Sequence, residues 1–368
     1  MKSFKIGDLE IKLPIVLGGM GVGVSLSGLA SAIANEGGIG IISAVGVGLD
    51  PKTPGKYSKE LGNEGFIKEI RKARQLSPNG IIGANIMYAL SNFDDLFKIA
   101  IDEKLDVVIV GAGLLIKIPE TLTKEEFLET KTKIIPKISS SRAAELTLKV
   151  WAEKFGKIPQ AIVIEGPMAG GHLGFKKDEL RENKAQNVFE ILDEVKRIVK
   201  PFEEKFGHKV SLIVAGGFYT GEDIRLALES GADAVKMATR FVTTYECDAD
   251  IAFKMQYINS NQNDIVIIDS PVGLPGRAIE NDFLRKVKNG QTKPVKCSWK
   301  CLKTCDFKKV PYCIAEALLN ASIGNLHEGF AFAGQNAFRA TKIESVAEVI
   351  ESLKFEYQSS KKKLSMAI

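Results

Sequence analysis

Eight short apolar runs constrain the fold of this 368-residue chain more than any other feature. They are Leu13–Leu17, Ile39–Ile42, Ile81–Asn85, Val107–Val110, Ile134–Ile138, Ala161–Ile164, Ser211–Ala215 and Ala234–Met237. All are rich in isoleucine or valine and alternate little, as parallel strands do when both faces are covered. Helical patterns fall between them. Leu26–Glu36 ends at Gly37-Gly38, a C-cap pair. Arg142–Phe155 carries an apolar stripe at Ala143, Leu146, Val150 and Trp151 and follows a serine run that can cap it. Gly221–Ser230 stops at Gly231. Eight strand–helix repeats suit a (β/α)8 TIM barrel of about 250 residues. A doubly wound open sheet is the competitor, because strand order is not written in a sequence.

Residues 1–260 are expected to form that barrel. Residues 261–340 break the pattern and read as a lid subdomain over it. They hold Ser270-Pro271-Val272-Gly273-Leu274-Pro275-Gly276-Arg277, a cysteine cluster and a stretch rich in glycine and phenylalanine. Residues 341–368 read as a closing helix and polar tail. Ser345–Leu353 is the helix, with Ser345 and Glu348 spaced as a capping box. Ser359–Lys363 reads as a frayed end.

The loops after the runs carry the chemistry. The sixth leads through Glu165-Gly166-Pro167 to Gly170-Gly171-His172. A histidine past a strand's carboxyl end, beside glycines that admit a flat ligand, is expected to be a catalytic base. The alternative is a surface turn histidine. The first run ends in Gly18-Gly19-Met20-Gly21, the seventh in Ala215-Gly216-Gly217 and the eighth runs into Ala238-Thr239. Loops after strands seven and eight are the usual phosphate seat of such a barrel. No P-loop Lys-Ser/Thr follows, and no dinucleotide fingerprint is present. Asn85 can bond a ring edge, or form an Asx turn. Lys137 can face an electron-rich ring or phosphate, or stand solvated at the rim.

Cys297, Cys301, Cys305 and Cys313 are separated by three, three and seven residues. Four thiols this dense argue for a metal rather than a secreted disulfide framework. Zinc ribbons prefer C-x₂-C pairs, which are missing. Four thiolates without histidine suit a [4Fe–4S] cluster, ahead of zinc or free thiols. A charged fraction of 26% and net charge of +5 are those of a soluble protein and too mild for a nucleic-acid partner. With no long apolar run and no signal-type leader, the expected location is the cytoplasm.

Together these motifs resemble the 2-nitropropane dioxygenase / nitronate monooxygenase family of FMN flavoproteins, which includes type II enoyl-acyl-carrier-protein reductases. The resemblance implies a TIM barrel with FMN over the strand ends, His172 as base, and oxidation of a nitronate to a carbonyl compound and nitrite. The Ser270–Ala278 signature, the cysteines and Tyr312-Cys313-Ile314-Ala315 are similar to a branch carrying [4Fe–4S] beside FMN, which includes an acyl-carrier-protein dehydrogenase/isomerase of unsaturated fatty acid synthesis. Expected partners are a small-molecule nitronate or acyl thioester, with acyl-carrier protein as the thioester's carrier and a homodimer as the assembly. A thioester needs a long apolar pocket, for which Phe283, Phe330, Phe332 and Phe338 are candidates. From another class, a non-catalytic flavin and iron–sulfur redox sensor is weakened by His172, since a sensor needs no base there.

Overall fold

A computed structural model describes residues 1–49 and 57–366. Eight parallel strands close into a barrel in the order of the chain: β3 (Ile15–Leu17), β4 (Ile39–Ser43), β5 (Ile81–Met87), β6 (Val107–Gly111), β7 (Lys133–Ile138), β8 (Ala161–Glu165), β10 (Ser211–Ala215) and β11 (Ala234–Met237). Each coincides with one of the eight apolar runs, and β11 pairs back onto β3 to close the ring. Apart from Ile81 at the start of β5, their isoleucines and valines are buried on both faces, so the uniform apolar character follows from a packed lumen inside and helices outside. The open sheet is excluded.

Strands outside the barrel were not expected. β1 (Phe4–Ile6) and β2 (Leu9–Ile11) form an antiparallel hairpin at the amino ends of the barrel strands. The Ser211 hydroxyl, at the start of β10, donates to Lys5 O. At the opposite mouth, β9 (Gly171–His172), β12 (Ile265–Asp269) and β13 (Pro275–Ile279) form a three-stranded antiparallel sheet with β13 central.

The helices follow the repeats, with one face misread. The helix expected over Arg142–Phe155 runs as Ser141–Val150 and continues in a single π-helical turn over Trp151–Phe155. Ser140 caps it, accepting from Ala143 N. Ala144, Thr147, Leu148, Trp151 and Phe155 are its buried residues, whereas Leu146 is 46% exposed. Thr147 can face inward because its hydroxyl donates to Ala143 O.

The closing helix is Val346–Met366, so the expected frayed tail is its last turns. It packs on the helix Gly221–Glu229 after the seventh barrel strand, and touches the helix Ser27–Asn35 after the first. A Cβ at Gly221 would lie 2.1 Å from Leu353 O, so glycine permits this approach. Gly221 N donates to Glu356. This helix therefore fills the ring between the seventh and first helices. Residues 243–345 leave the barrel after the eighth strand and return to that helix.

Candidate active site

A cleft of about 530 Å³ opens at the carboxyl ends of the barrel strands, within the range of small-molecule sites. Gly18, Gly19, Met20, Gly21, Asn85, Lys137, Gly170, Gly171, His172, Ala215, Gly216, Gly217, Ala238 and Thr239 all lie on its wall.

The glycines draw the wall together. A Cβ at Gly18 would fall 2.5 Å from that of Ala238, and one at Gly19 2.4 Å from that of Asn85. Asn85 is thereby held under the first loop, buried. At Gly216 and Gly217 the backbone has φ +93° and +101°, a turn that favours glycine. The segment holding Gly334 and Asn336 is stitched to this part of the wall. Asn336 Nδ2 donates to Gly217 O over 2.7 Å, and Gly334 N donates to Thr239 Oγ1 over 3.2 Å.

His172 sits in β9 rather than in a free turn, opposite Gly276 of β13. Its Nε2 is 2.6 Å from Ser270 Oγ, and its ring meets the edge of Phe332 at 4.9 Å. Burial, reinforced by the Lys137 ammonium, pushes the imidazole down to about 4, so it is neutral at neutral pH. Arg277, one residue along β13, reaches under the Gly-Gly-His segment. Its Nη1 donates to Pro167 O and Ala169 O, each over 2.6 Å. Burial lowers Arg277 only to about 10, so it remains charged.

Lys137 is not a solvated rim residue. Its Nζ contacts both carboxylate oxygens of Glu165, at 2.7 and 2.9 Å. Lys236, on β11, lines the cleft beside this pair and is 8% exposed. Burial, then Lys137, pushes its ammonium down to about 8, against the pull of Glu165.

Glu165, Lys236 and Ser270 were not among the expected site residues. Each had a signal. A carboxylate closes an apolar strand at Glu165, and a lone lysine interrupts Ala234-Val235-Lys236-Met237. Ser270 opens the Ser-Pro-Val-Gly signature but is 98 residues from the histidine it meets.

Of the four phenylalanines, Phe332 alone lines the cleft. Phe283 and Phe330 stack on each other in the core, 6.0 Å apart, and Phe338 lies off the cleft. Aliphatic side chains, including Leu90, Leu274, Leu302 and Leu318, supply much of the remaining wall.

The cysteine segment docks beside the mouth. Lys303 N donates to Ala89 O and Ser91 N to Cys301 O, over 2.9 and 3.0 Å. Cys297, Cys301, Cys305 and Cys313 line one small cavity with Pro271, Val272 and Tyr312. Cys301 also faces the main cleft. Burial, with the other three cysteines nearby, pushes its thiol up to about 12. Among the described residues, no group of three or more His, Cys, Asp or Glu side chains is gathered closely enough to hold a metal ion. No helix among them is long and apolar enough to cross a membrane.

A family model described as nitronate monooxygenase matches residues 2–356. A probable nitronate monooxygenase from Staphylococcus saprophyticus is 24% identical over 307 residues, covering 76% of this chain and 79% of that protein. The (3aS,4S,5R,7aS)-5-hydroxy-7a-methyl-1-oxo-octahydro-1H-indene-4-carboxyl-CoA dehydrogenase of Mycobacterium tuberculosis is 25% identical over 282 residues, covering 77% and 67%. Among solved structures, FabK from Thermotoga maritima superposes with a TM-score of 0.73 at 27% identity, covering 97% of this chain and 96% of that one. The nitroalkane oxidase from Streptomyces ansochromogenes shares the fold, with a TM-score of 0.71 at 20% identity over 96% and 98%. With its barrel closed, its mouth lined by glycine loops and the family match running nearly end to end, the chain belongs to the nitronate monooxygenase family and is a flavin-dependent oxidoreductase.

Proposed function

We propose that His172 is the base of this oxidoreductase, taking a proton from a carbon activated by an adjacent electron-withdrawing group. The carrying observation is the His172–Ser270 pair on the cleft wall. An imidazole held neutral can accept a proton without first losing one. If Nε2–H donates to Ser270 Oγ, the Nδ1 lone pair is left for the substrate; this is the tautomer the reading requires.

The cleft fits FMN. Gly216, Gly217 and the Thr239 hydroxyl lie where a phosphate would be held. Lys137, Lys236 and Asn85 offer polar contacts to a ring edge, and Gly171 has open space where a Cβ would stand. When bound, FMN accepts the substrate's electrons and passes them to O₂ or another acceptor. The chain's own part is to orient the substrate carbon toward His172, to hold the proton there, and to exclude water with Phe332 and the aliphatic wall.

The family favours a nitronate, which would form in the cleft when His172 takes the α-proton of the parent nitroalkane. The largely aliphatic wall and the similarity to a carboxyl-CoA dehydrogenase support an acyl thioester as the second reading. There His172 would take the Cα proton. The thiol spacing carries the proposal of a [4Fe–4S] cluster at Cys297, Cys301, Cys305 and Cys313; the four line one cavity, but their side chains are not gathered into a metal-holding group. No step of the proton chemistry needs it.

One anaerobic preparation tests these readings. It should be yellow, release FMN rather than FAD, and carry about four irons and four sulfides per chain. Its flavin should bleach with 1-nitropropane, whose α-proton His172 would take. Bleaching with an acyl thioester alone would shift the assignment to the second reading. Bleaching with neither would sink both. Iron and acid-labile sulfide absent from the anaerobic protein would remove the cluster alone.

A further inference from the structure

Lys236 is the only charged residue of β11 and points into the barrel mouth beside Lys137 and Glu165. Glu165 gives both its oxygens to Lys137. Lys236 has no hydrogen bond or ion pair with any of the described residues. A buried ammonium without a partner is costly, and a core lysine kept for structure normally finds a carbonyl or carboxylate. Lys254 does so in this chain, donating to Thr244 O and Tyr245 O. The layer thus holds two ammonium side chains against one carboxylate, at the floor of the cleft.

We propose that Lys236 is a flavin-binding residue that stabilises the negative charge gained by the electron-rich edge of the isoalloxazine when the flavin is reduced. The inference rests on the flavin reading above and adds a residue and an electrostatic role to it. The missing partner of Lys236 is then the ligand itself. Burial beside Lys137 disfavours the charge, and an anionic edge facing it would favour it again.

Sulfite is a suitable probe. It adds through sulfur to flavin N5, and the electron pair displaced from the ring settles on the N1–C2=O edge. With FMN bound, Lys236→Met should weaken sulfite binding at least tenfold. The flavin midpoint potential should fall correspondingly, about 30 mV for a tenfold change in a two-electron couple. The FMN-free variant should melt no lower than the FMN-free wild type, because an unpaired buried charge has been removed. Lys236→Gln provides the same readouts if the methionine variant does not fold. Unchanged sulfite affinity and potential in a variant that holds FMN would overturn the proposal. A lower melting temperature of both FMN-free variants would also overturn it, by making Lys236 structural. Failure of the wild type to bind FMN would instead defeat the flavin reading itself.

Discussion

Burial and the Lys137 ammonium both press His172 toward its neutral form. For a base the neutral form is the competent one. The rate of substrate-driven flavin reduction should therefore rise with pH through about 4 and stay flat through neutrality. A limb centred near 6.5, the ordinary histidine value, would mean that the cleft does not desolvate the ring. The sign for stability runs the same way. Between about 4 and about 6.5 the unfolded chain binds a proton that the folded chain refuses. The contribution is present above about 6.5 and is lost as pH falls toward 4. His172→Ala should keep its flavin, since the glycines and threonine proposed to hold the phosphate lie on other loops. Substrate-driven bleaching should slow by roughly 10²–10⁴-fold. Photoreduction, which needs no protein base, should survive. Wild-type bleaching in that variant would make His172 a structural residue. The histidine's place on the cleft wall was legible because it follows an apolar run beside two glycines. Ser270 was not legible as its partner, because a contact across 98 residues leaves no local pattern.

The element that holds His172 is a strand pair built from distant parts of the chain. β9 has two residues and cannot persist alone; β13 gives it a partner and Arg277 anchors the loop beneath it. Neither strand was legible. β13 begins with Pro275-Gly276, a pair more typical of turns than of strands, and β9 is too short for periodicity. β12, Ile265–Asp269, has the composition of a strand, but lay past the last strand–helix repeat and went unassigned. Arg277→Met should leave the Pro167 and Ala169 carbonyls without their donor. Only the Ala169 carbonyl is fully buried, so the expected loss is about 1–3 kcal/mol, read by chemical denaturation. Flavin reduction should slow as well, because the segment carrying His172 loses its support. A variant equal to wild type in stability and rate would show that β13 pairing alone positions the histidine.

At the scale of the whole molecule, the eight barrel strands were legible because each is a buried parallel strand, and burial on both faces leaves an unbroken apolar run. What the sequence withheld was the seat of the last helix. Its amphipathic pattern shows that one face is covered, without showing what covers it. The structure places Val346, Val349, Ile350 and Leu353 in the core, against the helix Gly221–Glu229. The barrel's ring is therefore completed by residues that follow the whole 261–340 segment, and that segment is tied back to the wall through Asn336 and Gly334. Such an arrangement should unfold as one unit, since the barrel loses a helix whenever the lid's return connection is lost. Leu353→Ala tests this. Leu353 is fully buried, so truncation should cost roughly 2–5 kcal/mol. Near-ultraviolet circular dichroism, which senses aromatic packing in barrel and lid, should shift together with flavin release to a lower midpoint in a single transition. Two separated transitions, with the lid aromatics melting apart from the flavin site, would show that residues 261–340 fold as an independent domain and that the closing helix does not couple them to the barrel.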